Sequence, residues 1–526
     1  MEKTVAEELF QREFQQKLGD LYRGEGRNRV DCEIILPEYK EEAQRIIRMT
    51  TTSRIIRKNV TLRGQNLVCE LDGVVAFQIL YQTDRGGEKG GISSFLSREN
   101  FSYTFKIPYQ QDSFDPGELL LFTELTQEGE VVKLQGPRKI SARCDVLIGL
   151  EAKYNESLSF YPEKPGEDIE TLGKKSRLSR LFATHEEEMV FTETISLPKN
   201  YLSVGEICQM EANFFAQNVQ CEEGGISFTG KCDLHLSYTA QEEDLFTGFY
   251  QPIEFQKRIA IPGVTTDKFC SVQMKSEFLR AAVEVNEEGE NKNILFEIGL
   301  TCQVQVFENR ECSFLEDAFS TTCVLLTEKE KIQMEEILGV SDFSVTIKDS
   351  LPLSDPGIFR AEGIRCAAEF KNCYLEEGKI FAEGKCKFSF IGIREEEDMK
   401  HYEDSFDFQC QLPSGAIQIP LEKDCRVQLF GGARSLELEP DGDTLRYRMD
   451  LDGSLMIFSR ENFTLISSME RGEAYSESEE SVLFVYPEEG EDIWSLSKRY
   501  HISPEKMKRE NDCMDNTLPV YLKIIR

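Results

Sequence analysis

Three stretches of this chain can be written beneath one another: LVCELDGVVAFQILYQT, ISFTGKCDLHLSYTA and KIFAEGKCKFSFIGI. They align through Gly73, Gly230 and Gly384, which are 157 and 154 residues apart (230 − 73 and 384 − 230). After each glycine every second residue is apolar: Val75, Phe77, Ile79; Cys232, Leu234, Leu236; Cys386, Phe388, Phe390. A period of two is the pattern of a strand with one buried face. Other landmarks recur at similar spacing. Leu36-Pro37, Leu197-Pro198 and Leu351-Pro352 lie upstream; Pro108, Pro262 and Pro413 lie downstream. Each copy closes on a further alternating run: CDVLIGLEAKY, FEIGLTCQVQVF and MDLDGSLMIFS. A triplicated unit of this size is large enough to bury its own core. Runs rich in Val, Ile, Phe and Tyr between Gly, Pro and acidic turns predict all-β, sandwich-like domains.

The middle copy contains GISFTGKC, Gly225–Cys232, which has the glycine spacing and lysine of a phosphate-binding loop. Such a loop needs a hydroxyl residue next, for magnesium, and then a helix whose free amides hold the anion. Here Cys232 takes the hydroxyl's place and the following residues alternate as a strand. The glycine therefore marks a bulge or a close backbone approach within a strand.

The chain divides as follows. Residues 1–28 place Leu9, Phe10, Phe14, Leu18, Leu21 and Tyr22 at steps of three and four, predicting an amphipathic helix. Residues 29–155 are the first repeat, with a short helical stretch in YKEEAQRIIRM. Residues 156–187 read as a linker: Pro162, Pro165 and Gly166, then the basic run KKSRLSR, expected as a linker helix, and acidic HEEE. Residues 188–325 are the second repeat and 326–480 the third, ending in the Ser-rich acidic tether SMERGEAYSESEES. Residues 481–526 change character and read strand, helix, helix, strand. Asp492 is placed to cap the first helix, and Ser503-Pro504 to open the second. The expected fold is thus mainly β: three tandem sandwich-like repeats and a small C-terminal βααβ domain.

Net charge is −33, an anionic surface that disfavours nucleic acid and anionic lipid as partners. From residue 482 onward seven basic residues meet eight acidic ones, so, apart from the basic run 174–180, the last domain is the least acidic part of the molecule. The N-terminus carries acids throughout and lacks an apolar core, so no signal peptide is expected, and no apolar run is long enough to span a membrane. The 16 cysteines then belong to a reducing cytosol, scattered singly in alternating runs as small buried hydrophobes. Four histidines far apart in sequence, and no Cys-x-x-Cys, predict no metal site. No nucleophile elbow and no Cys with a plausible His partner stand out, so neither enzyme activity nor a cofactor is expected.

The last 45 residues resemble a LysM domain. Tyr486, Gly490, Asp492, Ile493, Trp494 and Leu496 match its first half, Ile502, Ser503, Met507 and Asn511 its second helix, and Leu522 and Ile524 its closing strand. Glu491 stands within the usual Gly-Asp pair and the closing Gly and Pro are absent, both near the loops that grip N-acetylglucosamine chains in that family. The repeats resemble SPOCS domains (DUF3794), through EIILPEY at Glu33–Tyr39, RII at Arg45–Ile47, the Gly-led strands and the Ile-Pro edges. Three such repeats before one LysM domain are similar to the order in the SipL-like sporulation proteins. The resemblance implies a scaffold in the mother-cell cytosol, at the forespore surface, that binds the SpoIVA-like coat-basement ATPase through the LysM-like domain. The alternative it implies is a peptidoglycan or N-acetylglucosamine reader. The candidate contact residues are Asp492, Ile493, Trp494, Arg499, Tyr500, Lys508, Arg509, Asn511 and Asp512. Of these, Trp494 is read first as part of the domain's core, ahead of a contact, and Asp492 first as a helix cap.

Overall fold

The computed structural model describes residues 13–525, apart from 84–90, 110–118, 162–167, 242–244, 354, 356, 395–397, 416, 418–423, 477–481, 489, 512 and 514–517. The described chain is overwhelmingly β. The first repeat holds β1 (Glu13–Ile35), β2 (Ala43–Arg63), β3 (Asn66–Thr83), β4 (Ile92–Pro108), β5 (Leu120–Gly136) and β6 (Lys139–Phe160). The second holds β7 (Ile169–Ser196), β8 (Val204–Glu222), β9 (Gly225–Ala240), β10 (Phe246–Ala260), β11 (Phe269–Glu284) and β12 (Asn293–Ser320). The third holds β13 (Cys323–Pro352), β14 (Ile358–Glu376), β15 (Lys379–Arg394), β16 (Met399–Leu412), β17 (Asp424–Asp441) and β18 (Thr444–Ala474).

One topology occurs three times. The second, third and fourth strands of each repeat form one antiparallel sheet, with the Gly-led strand in the centre: β2-β3-β4, β8-β9-β10, β14-β15-β16. The first, sixth and fifth form the other: β1-β6-β5, β7-β12-β11, β13-β18-β17. The two sheets face each other across a shared core, as in the first repeat, where Cys32 and Ile34 of β1 and Ile148 of β6 meet Leu71 and Phe77 of β3. All nine residues of the alternating apolar pattern are buried, from Val75 through Phe390. The aligned glycines explain themselves here. In the ladder Gly73 lies opposite Phe101, Gly230 opposite Phe255 and Gly384 opposite Phe408. In each pair the phenylalanine ring of the neighbouring strand lies over the glycine, where a Cβ would stand. Of the two readings of GISFTGKC, the close approach is the one realised; it is β9, an unbroken strand, and no helix follows it.

The repeats are not beads on a string. Edge strand β4 meets β8, β10 meets β14, and β16 meets β2, so the three central sheets close into a ring. Equivalent residues at the head of those edge strands, Ile92, Phe246 and Met399, share one buried cluster. Each junction is locked by a charged side chain. Arg45 of β2 donates to Met399 O (3.1 Å) and Arg360 of β14 to Phe246 O (2.9 Å). At the third junction the charge is reversed: Glu206 of β8 accepts from the Ser94 amide (3.1 Å) and pairs with Lys40 (2.7 Å).

Several expected elements differ. Residues 13–28, expected within an N-terminal helix, are part of β1, paired along its length with β6; residues 1–12, with Leu9 and Phe10, lie outside the described residues. YKEEAQRIIRM is a turn followed by β2, not a helix. Within the expected linker, Pro162, Pro165 and Gly166 lie outside the described residues, but 169–187 is strand. The basic run 174–180 pairs with residues 308–314 of β12, buries Leu178 against the third repeat, and sets Lys174 over the Phe463 ring. The expected tether begins later than its composition suggests, because β18 runs on to Ala474. These strands reach 28 to 31 residues because they serve two layers. Bulges at Val306/Phe307 in the β12–β7 ladder and at Ile337/Gly339 in the β13–β18 ladder lie along these long strands, and the far halves of β7, β12, β13 and β18 pack on one another.

Candidate functional site

The C-terminal module pairs β19 (Val482–Val485) with β20 (Leu522–Ile525), antiparallel, around α1 (Ile493–Tyr500) and α2 (Pro504–Glu510). Both helices start where the side-chain chemistry predicts. Asp492 Oδ1 accepts from the Ser495 amide (2.8 Å) while Ser495 Oγ accepts from the Asp492 amide (3.0 Å), a reciprocal cap. Ser503 Oγ accepts from the Lys506 amide (3.2 Å), with Pro504 at the first position. Helix α1 ends at His501 in the left-handed region (φ 57°). Val485, Ile493, Leu496, Ile502, Met507, Cys513, Leu522 and Ile524 form the core.

The nine candidate contact residues fall into different places. Ile493 is core and Tyr500 packs on that core. Asp492 is the helix cap, its carboxyl held below the usual range chiefly by the Ser495 hydroxyl and amide. Asn511 clamps the module: its amide donates to Met507 O (2.9 Å) and Lys523 O (2.8 Å), and its oxygen accepts from the Lys523 amide (2.6 Å). Arg499 pairs with Glu491. Lys508 is half-buried and Arg509 exposed on α2, with no ion-pair partner among the described residues. Asp512 lies outside the described residues.

Trp494 does something else. It takes no part in the module's core; it faces β12 of the second repeat. Its indole Nε1 donates to Asp317 Oδ2 (2.9 Å), and its ring meets Phe319 edge-on at 5.1 Å. Lys498, one helical turn on, donates to both oxygens of Asp317 (2.7 and 2.8 Å), and Lys329 of β13 pairs with the same carboxylate (3.0 Å). Burial pushes the Asp317 carboxyl up, but the hydrogen bonds from Lys498, Trp494 and Lys329 outweigh it and hold it below its ordinary value. At the far end of α1 the His501 ring stacks on Tyr475 at 3.7 Å. Sequence reading missed Asp317, Phe319 and Lys498; only the fold brings residues 181 positions apart together. It also missed the outer face of the β19–β20 pair, where Phe484, Tyr486 and Tyr521 are exposed and close to one another. The run VLFVY is apolar at every position, so it carries no sign of which side faces water.

A second polar centre lies where the ring closes. Arg48 of β2, 2 % exposed, donates to Gly363 O of β14 (2.5 Å) and pairs with Gln209 of β8. Next to it Glu211 pairs with Arg365. Burial pushes Arg48 down to about 10 despite Glu211, and pushes the Glu211 carboxyl up against the pull of Arg365 and Arg48. A cavity of about 1770 Å³ lies between the repeats, lined by strands from all three. Its wall mixes charges: Arg54, Lys58 and Lys275 stand near Glu124 and Glu277, and burial beside Lys58 pushes the Lys275 ammonium down.

Among the described residues no group of three or more His, Cys, Asp or Glu side chains is arranged to hold a metal ion. No helix of the described residues is long and apolar enough to cross a membrane. No protein-family model matches this chain, and comparison with curated proteins and with solved structures returns no match.

Proposed function

We propose that this chain is a non-enzymatic scaffold of the SipL-like kind in endospore assembly. In this reading the C-terminal module binds the SpoIVA-like coat-basement ATPase at the forespore surface, in the mother-cell cytosol, and the repeats form the rigid body that carries it. The observation that supports it best is the combination of parts: three β-sandwiches of one topology followed by a capped βααβ module in the order the sequence resemblance implies. The module also offers what a protein contact needs: an aromatic face of Phe484, Tyr486 and Tyr521, and a second face already engaged in a protein contact through Trp494.

The test compares the full chain with one ending at Ala474, each presented to purified coat-basement ATPase and, separately, to purified peptidoglycan. The full chain is expected to be retained by the ATPase, the shortened chain to be lost, and neither to be held by peptidoglycan. Retention on peptidoglycan alone would replace this reading with that of a glycan-binding protein. Retention on neither would end both.

A further inference from the structure

We propose that the α1 face of the C-terminal module reads an acidic–aromatic strand, and that Asp317-Ala318-Phe319 of β12 occupies that face as an internal ligand which a partner must displace. The proposal rests on the reading of the module as a protein-recognition unit and names the chemistry it recognises.

The reader side is two residues. Trp494 and Lys498 are four apart on α1 and so project from one face. The ligand side is also two residues. Asp317 and Phe319 are two apart on β12 and so project from one side of a strand. The indole N–H and the ammonium together hold one carboxylate, and the indole ring meets the neighbouring phenyl ring edge-on. This is a charge-and-ring match, with geometry set by the strand's two-residue repeat. A partner strand carrying Asp or Glu two residues from Phe would present the same groups.

Two features make the contact releasable rather than part of the fold. The module's core is complete without Trp494, so undocking leaves it folded. Lys329 of the neighbouring strand β13 also pairs with Asp317, so the carboxylate is not left bare in a buried place when Lys498 and Trp494 withdraw. Few residues separate β18 from β19, which keeps the module at high effective concentration beside β12. An external strand therefore competes against a built-in one, and its apparent affinity falls by the fraction of time the face is free.

Trp494 is the chain's only tryptophan, so its fluorescence reports the contact directly. The experiment uses the full chain, its Asp317→Ala/Phe319→Ala variant, and Lys498→Ala, which acts from the module side and leaves the repeats untouched. The probes are a synthetic peptide of residues 313–321 and the same peptide with Asn and Ala in place of Asp317 and Phe319. Both variants are expected to shift Trp494 emission to the red and raise its quenching by acrylamide. The native peptide should reverse the shift in the Asp317/Phe319 variant, and the altered peptide should not. Identical emission in all three chains would overturn the docking. A red shift that the native peptide fails to reverse would make the contact merely structural and overturn the recognition claim. In a separate arm, the Asp317/Phe319 variant should bind the coat-basement ATPase roughly tenfold tighter than the full chain. If the peptide behaves as expected and the ATPase binds neither chain, the named partner is wrong and the strand-reading face stands.

Discussion

At the scale of single residues, the aligned glycines show how one atom's absence shapes a sheet. Each lets a phenylalanine from the next strand lie across the backbone, filling the space with ring rather than side chain. The sites are not equivalent. A Cβ at Gly73 would meet both the Phe101 ring and Arg54 O at 2.6 Å, and one at Gly384 both the Phe408 ring and Glu369 O at 2.5 Å. At Gly230 the three nearest atoms all belong to the Phe255 ring, and none is backbone. A ring can tilt more easily than a paired backbone can move. Gly73→Ala and Gly384→Ala should therefore cost about 1–3 kcal/mol of overpacking and Gly230→Ala less. Urea denaturation of the three variants checks the order, and an equal loss at all three would contradict it. The cysteines follow the same logic of packing. Of 16, 12 are buried and four half-buried, and burial pushes thiols such as Cys69 up to about 11 and Cys232 up to about 12, away from reactivity.

Elements were legible where local chemistry decides them and misread where distant pairing does. The module's helices start at Asp492 and Ser503 because each cap satisfies amides within its own first turn. Asp492→Ala should cost about 1 kcal/mol, seen as a roughly fivefold faster hydrogen exchange at the first amides of α1; unchanged exchange would mean the cap contributes nothing. By contrast, the helical spacing of Phe14, Leu18, Leu21 and Tyr22 is overridden in β1. The ladder there is formed with β6, more than a hundred residues away, with a bulge between Asp20 and Tyr22. The same applies to KKSRLSR. Its lysines and arginines suit a solvated linker, yet it pairs with β12, buries Leu178 on the third repeat and ties Lys174 and Arg180 to Glu461 and Glu308.

At the scale of the whole molecule, the three central sheets close into a ring, and the closing junction is where β16 meets β2. His401 of β16 lies there, facing Arg48 of β2 and Arg365 of β14, with Glu403 of its own strand at 3.6 Å. Burial first, then the two guanidinium groups, push its imidazole down to about 4. In the unfolded chain it titrates near its ordinary value of about 6.5. The sign follows: above that value both states hold neutral imidazole and nothing is lost. As pH falls from about 6.5 to about 4 the unfolded chain takes up a proton that the closed ring refuses, and stability drops by on the order of 2–3 kcal/mol. His401→Gln, of similar size and unable to titrate, should flatten that part of the pH–stability curve relative to the native chain. Parallel curves would show that acid sensitivity arises from the many carboxylates instead.

The two-residue rhythm, the three glycines and the Leu-Pro ends already specify three like β units, because each is a local consequence of one buried face and one tight turn. The caps and apolar pattern of the last residues likewise specify a βααβ module. What no local pattern contains is how the units meet. That β16 returns to β2, that Arg48 sits beneath three sheets, and that Trp494 finds Asp317 all depend on surfaces that exist only after each unit has folded. Read from sequence, Trp494 belongs first to the module's core, as a lone tryptophan in a small domain usually does. The fold corrects this: the module's own apolar residues fill its small interior, and the indole N–H turns outward to Asp317 of β12.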